Sequence, residues 1–389
     1  MSDAPPSAAL RLSLLAVSML PIMAGTALIA ALPLIEAHFR GAPQAEMLVK
    51  MVVALPALFI ALCGPLAGII VDRWGRKPLL LGSVVLYGIA GLSGFFLEAL
   101  PALLAGRAAL GAAVAGTMTA TTTLVADYFD QDARHRFMGH QGAWINFGGV
   151  AFLMAGGALA GLSWRHPFLL YLLAFVILVP LARFVQEPAR PARPDRTAAT
   201  EGRLPLGTTT AIYGLNFLSM ALFFLLPLFL PFFLQSLGIT RPLAASAALS
   251  CNTLVSAVVA LAFPRIRANW DHRQIAVGTL AVLGLGFIGI GGASSYGLIL
   301  LNLVLVGLAM GLMIPNLATW LMAVAPPHLR GRAIGGLTTS MYLGQFASPL
   351  LAQPLVAHAG LATTYLVAAG VFGLTALAAA LVGRQPKRS

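Results

Sequence analysis

Acidic side chains are scarce in this chain. Twelve Asp and Glu stand against 24 Lys and Arg in 389 residues, and only 9% of residues are charged. A soluble domain carries about 25% charged residues, so the shortage excludes an ordinary water-facing surface. Cysteine is scarcer still: Cys63 and Cys251 lie far apart, each inside an apolar run. That placement suits small hydrophobes and excludes a disulfide framework or a cysteine metal site. No G-x-x-x-x-G-K-[ST] phosphate loop occurs, no metal-ligand cluster appears, and no nucleophile, base and orienting group share a plausible stretch. Neither an enzyme nor a bound cofactor is expected.

What is present in excess is apolar sequence, at 59% of residues with a mean hydropathy of +0.89. Each helical membrane crossing needs about 20 apolar residues. Runs at about 12–35, 47–71, 78–97, 101–126, 138–162 and 166–185 supply six, and runs at about 208–234, 243–264, 275–294, 296–325, 333–357 and 361–383 supply six more. The first run is too long for a signal-peptide core and is read as a span. Between the two sets, Gln186 to Gly207 is rich in proline and arginine, the composition of a linker. The expected domains are therefore residues 1–185, a linker at 186–207, and residues 208–389.

The net charge of +12 could point to nucleic acid, but its distribution points elsewhere. Twelve spans put both termini on one side with the loops after even-numbered spans. Nineteen cations fall there: Arg11, Arg73, Arg76, Lys77, Arg134, Arg136, Arg183, Arg190, Arg193, Arg196, Arg203, Arg265, Arg267, Arg273, Arg330, Arg332, Arg384, Lys387 and Arg388. Four fall on the other side, Arg40, Lys50, Arg165 and Arg241. By the positive-inside rule the termini and linker are cytoplasmic, the protein is an integral multi-pass protein of the cytoplasmic (inner) membrane, and no nucleic-acid partner is needed. The expected partners are the lipid bilayer and a small-molecule substrate, and the expected state is a monomer.

The halves repeat at an offset of 196 residues. Trp74 matches Trp270, Gly88 matches Gly284, Gly111 matches Gly307, Arg134 matches Arg330, Arg136 matches Arg332, and Gly139 matches Gly335. A parallel duplication of six spans is one architecture of secondary transporters.

Between the second and third spans stands GIIVDRWGRK, Gly68 to Lys77, with the spacing G-x-x-x-D-R-x-G-R-K. Together with the twelve spans and the repeat, this resembles the major facilitator superfamily, whose best-known signature has that pattern in that loop. Arg107-Ala-Ala-Leu-Gly111 is similar to the R-x-x-x-G of a second family motif, and Trp164-Arg165-His166-Pro167-Phe168 resembles the W-R-x-x-F of drug-efflux members. The resemblance implies an all-α membrane protein of twelve transmembrane helices in two six-helix bundles related by pseudo-twofold symmetry. It also implies, for the drug/proton antiporter (multidrug efflux) group, energy from the proton gradient. Gly156-Gly157 is present, but Phe152-Leu153 stands where that group carries Gly-Pro. Proton-coupled efflux of a small neutral or anionic organic compound is the leading expectation. Uptake or facilitated diffusion of a metabolite, or a lipid flippase or sensor, is the alternative.

Two residue sets follow. A conformational latch is expected from Gly68, Asp72, Arg73, Gly75, Arg76, Lys77, Asp127 and Arg332. The resemblance implies that Asp72 meets the eleventh span near Arg332 and that Arg73 or Arg76 meets Asp127. In the second half the matching loop, Arg265 to Gln274, keeps its cations but has Ala268 in place of Asp72 and Asp271 in place of Gly75. The second set is a substrate or proton pathway. Arg107 heads it, because a cation inside a span costs about 2.5–3.5 kcal/mol and needs a wet cavity or a partner. Glu36, Gln141, Trp144, Asn146, Tyr213, Asn216, Asn252, Asn302, Asn316, Tyr342 and Gln345 complete it as polar residues in or at the ends of spans. Interhelical hydrogen bonding accounts for any one of them equally well.

Overall fold

The computed structural model describes residues 7–188 and 204–382, and among these the regular structure is helical, with no strand. Of the expected linker, 189–203 lies outside the described residues with Arg190, Arg193, Arg196 and Arg203, as do the terminal Arg384, Lys387 and Arg388. The chain forms two compact units, Met1–Ala199 and Thr200–Ser389.

In the first unit the N-terminal run is built in pieces: α1 (Ala8–Val17), α2 (Leu20–Thr26), a 3-10 turn Ile29–Ala31, and α3 (Leu32–His38). Pro21 and Pro33 sit in the first turns of α2 and α3, where a missing N–H is least costly. Then come α4 (Ala45–Trp74), α5 (Arg76–Ser93), α6 (Leu100–Tyr128), α7 (Gln131–Ala160) and, after a 3-10 stretch His166–Leu172, α8 (Leu173–Phe184). The second unit contains α9 (Leu206–Phe223), α10 (Leu225–Ser236), α11 (Pro242–Asn269), α12 (His272–Gly291), α13 (Tyr296–Val324) and α14 (Arg330–Val382).

Ten helical stretches among the described residues are long and apolar enough to cross a membrane, where the sequence pattern predicts twelve. The difference arises at two places. Helix α5 is 18 residues long and opens on Arg76, Lys77 and Pro78, so its charged start dilutes a short apolar run. The last two expected spans run on as α14, whose backbone is broken at Gly360 with φ 80° and ψ 170°. Glycine adopts that conformation without steric cost.

The repeat visible in the sequence extends to helix ends and contacts. Helices α6 and α13 are offset by 196 residues at both ends. A Cβ on Gly111 of α6 would collide with Pro56 and Phe59 of α4; a Cβ on Gly307 of α13 would collide with Asn252 and Val255 of α11. Each residue of the second set is its first-unit counterpart plus 196, so the closest helix approach falls at the same register in both units. Nearby, Gly106 of α6 faces Ser93 of α5, and Asn302 of α13 faces Gly289 of α12. That pair also keeps the offset, with the glycine on the opposite helix.

Candidate functional site

The G-x-x-x-D-R-x-G-R-K loop forms the corner between α4 and α5. Gly75 ends α4 with φ 103° and ψ 169°, a conformation that L side chains rarely adopt. A second reason for glycine is steric: a Cβ there would lie 2.7 Å from Oε1 of Glu187. The Glu187 carboxylate accepts from the backbone N–H of Arg76 at 2.8 Å and of Lys77 at 2.7 Å. It thus satisfies two of the orphan donors at the start of α5. Nζ of Lys77 donates to the carbonyl of Ala182, 3.0 Å away at the end of α8. Nε of Arg76 lies 3.0 Å from Oδ2 of Asp127 near the end of α6, close enough for an ion pair although Nε–H does not point along a hydrogen bond. Tyr128 completes the corner: its hydroxyl donates to the carbonyl of Gln186 and accepts from the N–H of Gln186 at 2.9 Å.

Of the two arginines, Arg76 faces Asp127. Asp72 is exposed and has no hydrogen bond or ion pair among the described residues of its own unit. Gly68 has open space where a Cβ would stand, so no close helix packing within the unit requires glycine there. Arg332 is exposed near the start of α14. Gln186 and Glu187, the first two residues of the expected linker, are exposed and fixed to this corner.

The second unit builds its matching corner from other chemistry. Asp271, at the position of Gly75, caps α12 itself: its side chain accepts from the Gln274 N–H at 2.7 Å while the Gln274 side chain accepts from the Asp271 N–H at 2.9 Å. Arg273, at the position of Lys77, donates to the carbonyls of Ala379 and Ala380 in the last turn of α14. His272, at the position of Arg76, is held between Nε of Arg267 at 3.2 Å and the amide of Asn316, whose Oδ1 is 2.9 Å away and whose Nδ2 donates to the His272 carbonyl at 2.8 Å. Because Nε2 accepts from arginine, the ring proton sits on Nδ1. The ring stacks on Trp320.

Arg107 is 1% exposed and three of its nitrogens have partners. Nε donates to the Val52 carbonyl at 2.7 Å, Nη1 to the Tyr171 hydroxyl at 2.7 Å, and Nη2 to the Ala24 carbonyl at 2.6 Å. Both carbonyls are orphans. Val52 lies four residues before Pro56, which has no N–H to return, and Ala24 lies in the last turn of α2, where carbonyls lack intrahelical donors. Tyr171 also packs on Tyr87, whose hydroxyl donates to the Leu20 carbonyl at 2.7 Å. Of the wet cavity or partner expected for Arg107, the structure supplies partners: three protein acceptors from α2, α4 and the 3-10 stretch before α8.

Comparison with known proteins now decides the family. The model of the Major Facilitator Superfamily matches residues 14–291 and again 212–389. The chain belongs to the Major Facilitator Superfamily. Among curated members, it is 36% identical over 123 residues to the class C tetracycline resistance protein of Escherichia coli, a match that spans 31% of this chain and 30% of that relative. It is 25% identical over 334 residues to the 3-(3-hydroxy-phenyl)propionate transporter of Escherichia coli strain K12, spanning 83% of this chain and 81% of the relative. The crystal structure of a D-xylose-proton symporter superposes with a TM-score of 0.78 at 17% identity, covering 95% of this chain and 96% of that one, which is a likeness of fold. The superfamily is one of carriers rather than enzymes, and no cluster of metal-binding side chains occurs among the described residues.

In this Major Facilitator Superfamily chain, several of the polar residues singled out from sequence join helices within a unit. Gln141 of α7 donates to Ser18 at 2.7 Å. Tyr213 and Asn216 of α9 donate to Ala333 at 2.8 Å and to Leu337 and Ser340 at 2.8 and 2.9 Å, all on α14. Asn316 joins α13 to His272. Asn146 and Asn302 return to carbonyls of their own helices. Trp144 is exposed, while Tyr342 and Gln345 are half-buried on α14. Asn252 is buried with Oδ1 lacking a partner among the described residues. Glu36 forms an ion pair with Lys50 at 2.5 Å, and the Lys50 side chain is only 5% exposed. Lys50, counted from sequence among the four cations on the side opposite the termini, is a buried member of α4.

Sequence reasoning missed Glu187, Lys50, Tyr171 and His272 as members of these clusters. A signal existed for one partner of Arg107: a proline inside a span marks the carbonyl four residues earlier as in need of a donor.

Proposed function

We propose that this protein is a secondary active transporter of a small organic molecule, working by alternating access through twelve spans in two six-span halves, residues 1–185 and 208–389, with 186–207 as a cytoplasmic connector. The observation that carries this reading is the repeat of register and contacts at 196 residues in a chain of this family. Such duplicated halves rock about a central substrate path. The termini face the cytoplasm, on the charge distribution given above.

Uptake of a metabolite, driven by the proton gradient or by the metabolite's own, fits best. The relative aligned over 83% of this chain is a 3-(3-hydroxy-phenyl)propionate transporter, named for an aromatic carboxylate, and no acid among the described residues lies near the middle of a membrane-length helical stretch to bind a cationic drug. Arg107 is left out of the proposed substrate path because each of its three side-chain nitrogens donates within the fold. Drug efflux is the second reading, supported by the 36% local identity to a tetracycline resistance protein. Purified protein in proteoliposomes separates the two. With an inward proton gradient imposed, labelled 3-(3-hydroxyphenyl)propionate is expected to accumulate several-fold over empty vesicles. Tetracycline moving against that proton flow, with no accumulation of the carboxylate, would replace uptake by efflux. Failure of both, with lipid scrambling in the same vesicles, would favour the lipid reading.

Asp72 stays in the proposed latch for a reason that can be isolated. Being exposed and unpaired among the described residues of its unit, its replacement by asparagine is expected to change stability by less than about 0.5 kcal/mol, as for surface substitutions generally. Membrane insertion of Asp72→Asn should be normal and its transport rate several-fold lower. Full transport by the variant would remove Asp72 from the switch.

A further inference from the structure

We infer that Glu187 is the working N-cap of α5, delivered from the chain just beyond α8, and that it positions Arg76 for its pairing with Asp127. The cap is unusual in being supplied from a residue 111 positions away in sequence. Helix α5 has no side chain of its own to do this, since its N-cap is Gly75. The glycine admits the carboxylate, which then accepts from two successive backbone donors. Arg76 is thereby held at both ends, its N–H by Glu187 and its guanidinium by Asp127.

The second unit supplies an internal control. At the position of Gly75 it has Asp271, which caps α12 from within through a reciprocal box with Gln274. Both units therefore place a carboxylate at the same helix start, one intrinsic and one borrowed. Both units also tie the second helical residue to the final helix of the unit, Lys77 to Ala182 and Arg273 to Ala379 and Ala380. Among the described residues, only the first unit adds a carboxylate to that tie, and only there is the residue before it an arginine paired with an acid. The segment after α8 is thus part of the α4–α5 corner, fastened additionally through Gln186 and Tyr128.

Two measurements on the full-length protein test this. In hydrogen exchange followed by mass spectrometry, Glu187→Ala is expected to speed exchange of Arg76 and Lys77 about fivefold or more, the loss expected from removing a helix cap. The peptide containing Asp271 to Gln274 should be unchanged. Glu187→Gln, which keeps one acceptor oxygen, should lie between, and it serves if the alanine variant does not fold. Unchanged exchange at Arg76 and Lys77 in both variants overturns the cap.

The second measurement is a cycle of Glu187→Ala, Asp127→Asn and the double variant, read as transport rate and substrate KM; this arm rests on the transporter reading. Each single change should slow turnover several-fold with KM within twofold, and the double variant should be no slower than the worse single one, because both act through Arg76. Multiplying losses, or a change confined to KM, would overturn the positioning role. A protein that carries nothing yet shows the exchange change would refute the transporter reading and leave the cap standing.

Discussion

Replacing Arg107 with alanine is expected to destabilise the first unit by about 3 kcal/mol or more, because three buried acceptors lose their donor at once. The cost has identified components. The Val52 and Ala24 carbonyls and the Tyr171 hydroxyl lose their partner together, and an unsatisfied buried group costs about 1–3 kcal/mol. Arg107→Lys should be nearly as damaging, because one compact ammonium cannot span acceptors that a planar guanidinium reaches along different directions. The diagnostic variant pairs Arg107→Ala with Pro56→Ala. Alanine at 56 restores an N–H to the Val52 carbonyl, so the double variant should recover about 1 kcal/mol, one hydrogen bond's net worth. Melting temperature and monodispersity in detergent are the measurements. An Arg107→Ala protein with wild-type melting would show that the three contacts do not hold the fold, and a Pro56→Ala change that further destabilises it would refute the orphan-carbonyl account.

Enlarging Gly111 is expected to be comparably severe, and Gly307 should respond in the same way in the second unit. At Gly111 the obstacle is the backbone of α4 at Pro56, with the Phe59 Cβ 2.8 Å from the added carbon. At Gly307 it is the Asn252 carbonyl at 2.8 Å and Val255 at 2.9 Å. Neither can yield by rotating a side-chain end, so whole helices must separate. Overpacking typically costs about 1–3 kcal/mol, and more where backbone must move; leucine at either site should approach loss of folded protein. Gly139→Ala is the control, because nothing lies within 4 Å of its added Cβ and alanine favours a helix by about 1 kcal/mol over glycine. If Gly111→Leu and Gly139→Ala had equal effects on melting, close backbone approach would not be what fixes those positions.

How much of this could be read from sequence depended on the range of the interaction. Helical membrane character followed from composition and run length, and the offset of 196 followed from glycines and arginines that recur in register. The α4–α5 corner was legible as a charged turn because Asp72 to Lys77 are adjacent in the chain. Its borrowed cap was not, since Glu187 is separated from Arg76 by four helices and lies in a stretch whose composition reads as linker. Arg107 stood out as a costly intramembrane cation, but its solution, three fold-internal acceptors, depends on α2 and α4 arriving at the same depth. Tyr213, Asn216 and Gln141 look alike as isolated polar residues in apolar runs; only the neighbour across the helix interface distinguishes a structural bond from a surface offered to substrate.

The exchanged pair Ser93 with Gly106 and Gly289 with Asn302 bears on how the two units diverged. At this contact the glycine changes helix while the place of the contact stays fixed. What persists between the copies is the combined bulk available to two facing residues. Neither position is independently constrained to be small. A change at one is admissible only with a compensating change at its partner, so substitutions here must be inherited as couples, and a descendant with two large residues at both positions should be missing from any set of functional variants.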